Sequence, residues 1–264
     1  MAGLPQVDIA SSVRVALVRG VPDSYARCLK RPRTGVRLDV DLARRQHRAY
    51  VNALSATGAQ IVSIPADESL PDAPFVEDVA VVLPRRHAVL ARSCVFSRTG
   101  EAEGVAAYLD GHRTVDEMPS GATLDGGDVL IIGDTVHVGL SERTNEAGAA
   151  FLGRIAGVDH LQVRTIPVVG ALHLKSVCSY LGNGVLLHAA GKVRSDVFPG
   201  LELVCAPEAE GANVLAVNGR IIVPAETPRT CELLMRRGFD VVAVELSEFL
   251  KGNGGPTCLS LRIP

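Results

Sequence analysis

A short apolar strand recurs along this chain, and the repeat limits the possible folds more than any other feature of the sequence. Each copy leads through a polar or glycine-rich stretch into two β-branched runs, predicted to form a hairpin from their alternation and turn residues. Asn218-Gly219 is one such turn, of the kind favoured in two-residue hairpins. A unit repeated in this way is typical of solenoids and propellers. Four copies end in proline and a fifth lacks it; they occupy residues 61–65, 115–119, 163–167, 203–207 and 241–246.

The two ends of the chain complete each other in this pattern. After the fifth copy only one hairpin strand remains before Pro264. The missing parts lie at the other end, where residues 13–18 are predicted to form a strand and residues 41–54 an amphipathic helix. We therefore predict one α/β domain over residues 1–264. It is a five-bladed α/β propeller whose pseudo-five-fold ring is closed by the N- and C-terminal segments, because closure leaves no unfinished neighbour.

Local signals predict further helices after several of the hairpins. Residues 101–109 and 141–158 have a helical pattern despite internal glycines. In the fourth unit, Thr227 is predicted to be an N-cap, followed by Pro228 at the first helical position. Gly238 stands where a glycine commonly ends a helix.

The composition excludes several classes of partner. The 264 residues include 27 basic and 29 acidic ones, a net charge of −2, whereas binding to nucleic acid or an anionic membrane uses clustered positive charge. No run reaches the ~18 apolar residues of a membrane span, and the N-terminus lacks the pattern of a signal peptide. The six cysteines are widely spaced without a Cys-x-x-Cys pair, unlike a disulfide framework or a zinc site. We expect a cytoplasmic protein with reduced thiols.

Residues at the same phase of each unit should converge near the axis of a ring. The phase just before each hairpin contains carboxylates, a histidine and a cysteine, which together form a reactive set. Cys258 differs from the other cysteines because it follows a glycine-rich loop, whereas the other five are expected to be packing residues. The residues at this phase are Glu77, Asp78, Asp125, Asp128, His173, Lys175, Asn213 and Cys258.

Glu77 and Asp78 are adjacent carboxylates at the start of an apolar strand. Burying both without partners would cost several kcal/mol, so a cation should pair with them. That cation is either a ligand or a nearby side chain, Arg85 or Arg86. A guanidinium group matches carboxylate geometry in a bidentate manner. The residues alone thus favour a nucleophile and a base facing carboxylates suited to a planar cation.

Several stretches, taken in order, resemble one known family over nearly the whole chain. They are residues 65–72, 75–82, 122–130, 139–145, 172–176 and 257–258. In these stretches the sequence resembles the dimethylarginine dimethylaminohydrolases, members of the pentein or guanidino-group-modifying superfamily. The resemblance implies hydrolysis of asymmetric dimethylarginine and monomethylarginine to citrulline and an amine. It implies no cofactor and no metal.

The resemblance also assigns a role to each matching residue. Cys258 is the implied nucleophile, which forms a covalent thiouronium intermediate, and His173 is the implied acid and then base. Asp125 matches the acidic residue that orients this histidine. Arg98 and Arg143 match the arginines that hold the substrate carboxylate. The implied substrate-binding residues are Leu29 on a lid loop, Asp72, Glu77, Asp78, Arg98, Arg143 and Gly252.

The chain departs from the mammalian members beside the nucleophile. Gly252 and Asn253 stand where those members have an apolar residue and Asp, and Leu259 stands where they have a second cysteine. These changes affect the backbone contact and the electrostatics of the loop. They leave Cys258 in place.

Other functions fit parts of the sequence. An arginine deiminase acting on free arginine is the main alternative, but that family usually has Phe-x-Arg-Asp where this chain has Phe-Val-Glu-Asp at residues 75–78. A non-catalytic protein with the same ring, such as a ribosome-binding translation factor, would not need Cys258 and His173. A metalloenzyme would need more ligands than one His/Cys pair. The expected partner is a small-molecule substrate, without nucleic acid or membrane, and a homodimer is an open alternative to a monomer.

Overall fold

The part of the chain that the structure describes contains fifteen strands in five three-stranded sheets. In this computed structural model, the described residues are 13–29, 37–194 and 196–264, so the expectation of no signal peptide falls on residues outside them. The strands are β1 (Val15–Arg19), β2 (Gln60–Ile64), β3 (Ala80–Val82), β4 (His87–Leu90), β5 (Thr114–Glu117), β6 (Val129–Ile132), β7 (Thr135–Leu140), β8 (Gln162–Pro167), β9 (Cys178–Gly182), β10 (Val185–His188), β11 (Glu202–Cys205), β12 (Leu215–Val217), β13 (Arg220–Pro224), β14 (Asp240–Val244) and β15 (Leu261–Ile263).

All five sheets have the same topology. The sheet orders are β15-β1-β2, β3-β4-β5, β6-β7-β8, β9-β10-β11 and β12-β13-β14. In each sheet the middle strand pairs antiparallel with the first strand and parallel with the last. The last strand is the recurring apolar copy of the sequence repeat. It lies at a sheet edge, where a terminal proline is tolerated because it removes no ladder hydrogen bond.

The two ends of the described chain meet in one sheet, as the repeat predicts. Leu17 of β1 pairs with Leu261 of β15 on one side and with Val62 of β2 on the other. Successive sheets also contact one another, for example β15 with β3 and β9 with β12. We interpret the five equivalent sheets as the blades of the predicted five-bladed α/β propeller.

Five α-helices lie between the strands in the described residues. They are α1 (Val40–Ser55), α2 (Glu103–Leu109), α3 (Glu146–Val158), α4 (Pro228–Arg236) and α5 (Ser247–Lys251). None of them has the length and apolar character needed to cross a lipid bilayer. The helix predicted at 41–54 is confirmed to within one residue at each end, and it buries one side, including Tyr50 and Leu54.

Two helices start later than the sequence predicts, and for one of them the structure shows contacts that hold the preceding residues outside the helix. The helix expected from residue 141 begins at Glu146, because Ser141 and Thr144 donate to Asp128 Oδ2 at 2.6 and 2.7 Å. Asn145 caps it by accepting from the Gly148 amide. The helix expected from residue 101 begins at Glu103.

The sequence signals at α4 are only partly correct. Thr227 occupies the N-cap position, but its hydroxyl donates to the Pro224 carbonyl at 2.9 Å instead of capping the helix. Pro228 is the first helical residue, and Gly238 has a φ of +84° beyond the helix end. The backbone signals are therefore confirmed, while the side-chain cap is wrong.

Helix α1 and a neighbouring aromatic cluster support the loop that carries Cys258. Tyr50 of α1 is fully buried, and its hydroxyl donates to the Pro256 carbonyl at 2.8 Å and contacts Ser260 Oγ at the same distance. One aromatic cluster, formed by Tyr25, Phe75 and Phe249, packs nearby. This packing positions the backbone on either side of the cysteine.

Asn218 provides a test of the contact between the fourth blade and the N-terminal strand. Its side chain accepts from Val13 N at 2.9 Å and donates to Val13 O at 2.8 Å. We expect Asn218→Ala to lower the free energy of unfolding by about 2–3 kcal/mol, because these two hydrogen bonds and a longer one from Nδ2 to the Thr57 carbonyl at 3.3 Å are lost. Asn183→Ala is the matched control, since Asn183 is exposed and has a similar φ of 51° against 47°. Equal losses in both variants, measured by urea denaturation, would contradict the blade contact.

Candidate active site

Every blade contributes one short 3₁₀ turn just before its first strand, at the phase that the sequence singled out. Asp78 lies within its turn, Asp125 and His173 immediately precede theirs, Asn213 follows its own, and Cys258 lies within the last. Neighbouring turns contact one another around the centre of the molecule. Repetition of one local conformation therefore brings side chains from all five blades together.

A cavity of about 440 Å³ lies over these turns. Eight of the ten residues predicted for the site line it: Leu29, Asp72, Asp78, Arg98, Arg143, His173, Gly252 and Cys258. The other two, Glu77 and Asp125, are outside the lining. The cavity thus combines a thiol, an imidazole, carboxylates and guanidinium groups.

Cys258 is buried at the bottom of this site, with a protonated thiol in the free protein. Burial, and then the charges of Glu77 and Asp78, raise the pKa of Cys258 to about 12. The sulfur accepts from the Gly255 amide at 3.4 Å, and Asn213 Nδ2 lies 3.9 Å away. A cation bound beside the carboxylates would offset their charge and make the thiolate easier to form.

His173 and Asp125 form a buried pair. His173 Nε2 lies 3.2 Å from Asp125 Oδ2, and Nδ1 lies 3.8 Å from Asp78 Oδ1. Burial lowers the pKa of His173, but Asp78 and the hydrogen bond with Asp125 outweigh it, so the net pKa is raised. At Asp125, burial is outweighed by His173 and Arg98, and the net pKa is lowered. The pair therefore favours an imidazolium, which can act as an acid.

Arg98 and Asp78 line the cavity as an ion pair. Arg98 Nη1 donates to Asp78 Oδ2 at 2.8 Å, and Glu101 Oε2 accepts from Nε and Nη2 at 2.9 and 2.8 Å. Asp78 Oδ1 also accepts from the Gly127 amide. Gly127 has no room for a side chain, because a Cβ would lie 2.5 Å from His173 Nδ1. With these partners, Arg98 orients Asp78, and its donors are occupied before any substrate carboxylate arrives.

Glu77 points away from the cavity. Its Oε1 pairs with Lys175 Nζ at 2.5 Å and with Arg262 Nη2, while Oε2 has no partner among the described residues. Neither Arg85 nor Arg86, the local candidates from the sequence, is the partner of either carboxylate. Glu77 thus contributes charge below the nucleophile, which raises the pKa of Cys258, and does not reach the predicted position in the cavity.

Four other predicted residues also line the cavity. Arg143 Nη1 is buried without a partner among the described residues, so one of its donors is available to a ligand. Asp72 Oδ1 accepts from the Leu29 amide at 2.9 Å, and burial raises the pKa of Asp72. Leu29 is 37% exposed. Gly252 packs closely, because a Cβ would lie 2.8 Å from the Tyr25 hydroxyl.

Among the described residues, one group has the spacing of a metal site. Ligand atoms of Asp78, Asp125 and His173 lie within 4.8 Å of one another. Arg98 Nη1 already lies 2.8 Å from Asp78 and 3.8 Å from Asp125. A metal cation bound by all three residues would lie close to this guanidinium and be repelled by it.

Sequence reasoning missed two charged residues in this network. Glu101 holds Arg98, and its i,i+3 spacing from Arg98 was an available signal. Arg262 pairs with Glu77 over a separation of 185 residues, for which no local signal exists.

Comparisons with known proteins point to one family. Residues 33–199 match the family model described as N,N dimethylarginine dimethylhydrolase, eukaryotic. The chain is 35% identical over 260 residues to the N(G),N(G)-dimethylarginine dimethylaminohydrolase of Pseudomonas aeruginosa, covering 96% of this chain and 98% of that protein. It is 38% identical over 230 residues to the Streptomyces coelicolor protein of the same name, covering 86% and 88%.

A solved structure of one of these relatives is also similar to this chain. A cysteine-to-serine mutant of the Pseudomonas aeruginosa enzyme, complexed with citrulline, superposes with a TM-score of 0.91. The two chains are 32% identical, and the match covers 95% of this chain and 99% of that chain.

The environment of Cys258 predicts slow alkylation of the free protein. We expect iodoacetamide to modify exposed Cys94 and Cys205 before Cys258 at neutral pH, since a thiol with a pKa of about 12 is almost fully protonated. Modification of Cys258 should accelerate up to and beyond pH 10. Asp78→Asn should accelerate it further by removing a negative charge. Peptide mass spectrometry measures each site separately, and Cys258 reacting first at pH 7 would refute the expectation.

Proposed function

The chain belongs to the dimethylarginine dimethylaminohydrolase family, and we propose that it hydrolyses Nω-methylated arginines to citrulline and methylamine or dimethylamine. The observation that carries the proposal is the composition of one cavity. It combines the Cys258 thiol and His173 with the Asp78 carboxylate and with the Arg143 guanidinium, whose Nη1 has no partner among the described residues. Such an arrangement suits a ligand with a guanidinium at one end and a carboxylate at the other.

In the first half of the reaction, binding prepares the nucleophile. The substrate guanidinium offsets the charge of Asp78, which lowers the pKa of Cys258, and the thiol proton passes to solvent. The sulfur then adds to the guanidinium carbon. His173, held protonated by its carboxylate neighbours, gives its proton to the methylated nitrogen as the carbon–nitrogen bond breaks. The products of this half are a neutral amine and a thiouronium on Cys258.

In the second half, water replaces the sulfur. Neutral His173 takes a proton from the water molecule as its oxygen adds to the thiouronium carbon. The carbon–sulfur bond then breaks with its electron pair on sulfur, and the remaining hydroxyl proton leaves as the carbonyl of citrulline forms. Asp125 stabilises the imidazolium in both halves through the 3.2 Å contact with Nε2.

Two other activities remain less well supported. Arginine deimination would use the same chemistry with ammonia as the leaving group, but the family model and the two named relatives favour methylated substrates. A non-catalytic role does not explain why one cavity is lined by a thiol, a histidine with a raised pKa and an arginine with a donor left unpaired among the described residues.

The proposal also covers the domain organisation, the location, the cofactors and the assembly of the protein. From composition and the matching family, we propose that residues 1–264 act as one cytoplasmic domain that needs no cofactor, metal, nucleic acid or membrane. A homodimer is proposed as an assembly to test by light scattering.

Citrulline formation tests the function directly. We expect asymmetric dimethylarginine and monomethylarginine to yield citrulline and arginine to yield little. Cys258→Ser should abolish turnover, because serine provides a far weaker nucleophile. Cys178→Ser is the matched control, since Cys178 is also buried but lies outside the cavity. Turnover of arginine alone would contradict the substrate class, and an active Cys258→Ser enzyme would contradict the mechanism.

Arg143 tests recognition of the substrate carboxylate. We expect Arg143→Ala to raise KM by about tenfold or more with a smaller change in kcat, because the lost contact is uniform in ground and transition states. Arg164→Ala is the control, as Arg164 is an exposed arginine on strand β8. Steady-state kinetics with asymmetric dimethylarginine separates the two constants. A loss confined to kcat would refute this role for Arg143.

A further inference from the structure

A second cavity, of about 410 Å³, adjoins the first on the far side of the Asp78–Arg98 pair. Both residues line both cavities, whereas Asp125 lines only the second. The second cavity lies against helix α2 and the end of β4, and it includes Ala106 and Leu90. None of the roles described above for the active site uses this space.

The proposed reaction creates a need for such a space. The amine is the first product, and it forms while the rest of the substrate is still bonded to Cys258 between the reacting carbon and the mouth of the first cavity. It must leave before water can attack. A separate passage at the reacting end would let the amine depart without crossing the covalent intermediate.

The inner end of the second cavity reaches Asp125, the carboxylate beside the proposed proton donor. Asp125 contacts His173, the proposed proton donor, through Oδ2 at 3.2 Å, and its Oδ1 has no partner among the described residues. Glu101 is 1% exposed and also lines the second cavity, and its Oε1 likewise has no partner there. Two buried carboxyl oxygens without donors favour a ligand that carries N–H groups, and a positive charge on that ligand favours the ionised form of Glu101, whose pKa burial raises to about 7.

The outer end reaches the surface. Thr99, Glu103 and Glu117 line the cavity and are exposed, unlike Asp125 and Glu101. The cavity therefore extends from the buried site to solvent.

The wall carries more acidic than basic groups. Its acidic residues are Asp78, Glu101, Glu103, Glu117 and Asp125, and its basic residues are Arg92 and Arg98. Arg98 is already paired with Asp78 and Glu101, and Arg92 donates to the Met118 carbonyl. An excess of negative charge along the wall attracts a small cation.

We propose that this second cavity is the exit passage for the leaving amine, and that it binds small alkylammonium ions; the proposal rests on the proposed function. When the sulfur bonds to the guanidinium carbon, the carbon–nitrogen bond breaks and the nitrogen takes the proton of His173. The neutral amine enters the passage and gains a proton from water there, because alkylamines have pKa values of about 10. Its positive charge then favours the acidic wall, while the small neutral fraction in equilibrium with it can still return to the thiouronium.

Label uptake tests the passage. Deuterium-labelled dimethylamine, added during turnover of asymmetric dimethylarginine, can enter, attack the thiouronium and reappear in unconsumed substrate. We expect Ala106→Leu, which narrows the cavity, to reduce labelled substrate per citrulline formed by about fivefold with KM unchanged. Ala107→Leu is the matched control, since Ala107 is exposed on the same helix and lies outside the lining.

A second variant, which changes charge, tests the passage even if Ala106→Leu fails to fold. Glu103→Lys reverses one charge at the exposed rim and should also reduce label uptake, whereas Asp110→Lys, exposed just beyond α2 and outside the lining, should not. Equal uptake in all variants and the wild type, or no uptake by an enzyme that forms citrulline, would overturn the passage and leave the proposed function intact. Absence of citrulline in the wild type would overturn both.

Discussion

The buried carboxylate of Asp78 connects three blades, and the geometry of the site depends on it. Oδ2 accepts from Arg98 at 2.8 Å, and Oδ1 accepts from the Gly127 amide at 3.0 Å and lies 3.8 Å from His173 Nδ1. A charge in this position would be strongly unfavourable without such partners. The folded blades therefore have to bring a guanidinium, an amide and an imidazole to one point. The same contacts leave no room for a side chain at Gly127.

The surplus of negative charge around Asp78 has two chemical consequences. Burial and then this negative charge raise the pKa of Cys258, and at His173 the negative charge outweighs burial and raises the pKa, so the site favours a protonated thiol and an imidazolium. A cationic substrate reverses the effect at the thiol because it neutralises nearby carboxylates, which links reactivity to occupancy of the cavity. Asp78 and Arg98 also separate the two cavities. The group that prepares the nucleophile thus stands at the boundary between the space for the substrate and the proposed passage for the amine.

Much of the fold could be predicted because its signals are local. Strand alternation, turn glycines and the helix at 41–54 depend on residues close in sequence, and the repeat of these signals predicts five equivalent units. The phase of the repeat then brought out Asp78, His173 and Cys258, since equivalent positions carry the same 3₁₀ turn. The start of α3 could not be predicted in this way. Asp128 holds the residues before it through contacts that a helical pattern does not reveal.

The sequence by itself determined the number of units, the residue types at the centre and, through its resemblance, the family. Only the tertiary structure decided which of those residues face the cavity and which pair with other charged side chains. Glu77 and Asp78 are neighbours in sequence, yet Glu77 pairs with Lys175 and Arg262 while Asp78 faces the cavity. Each buried charge pairs with whatever opposite charge the assembled blades place within reach, and the partners of Glu77 are 98 and 185 residues away.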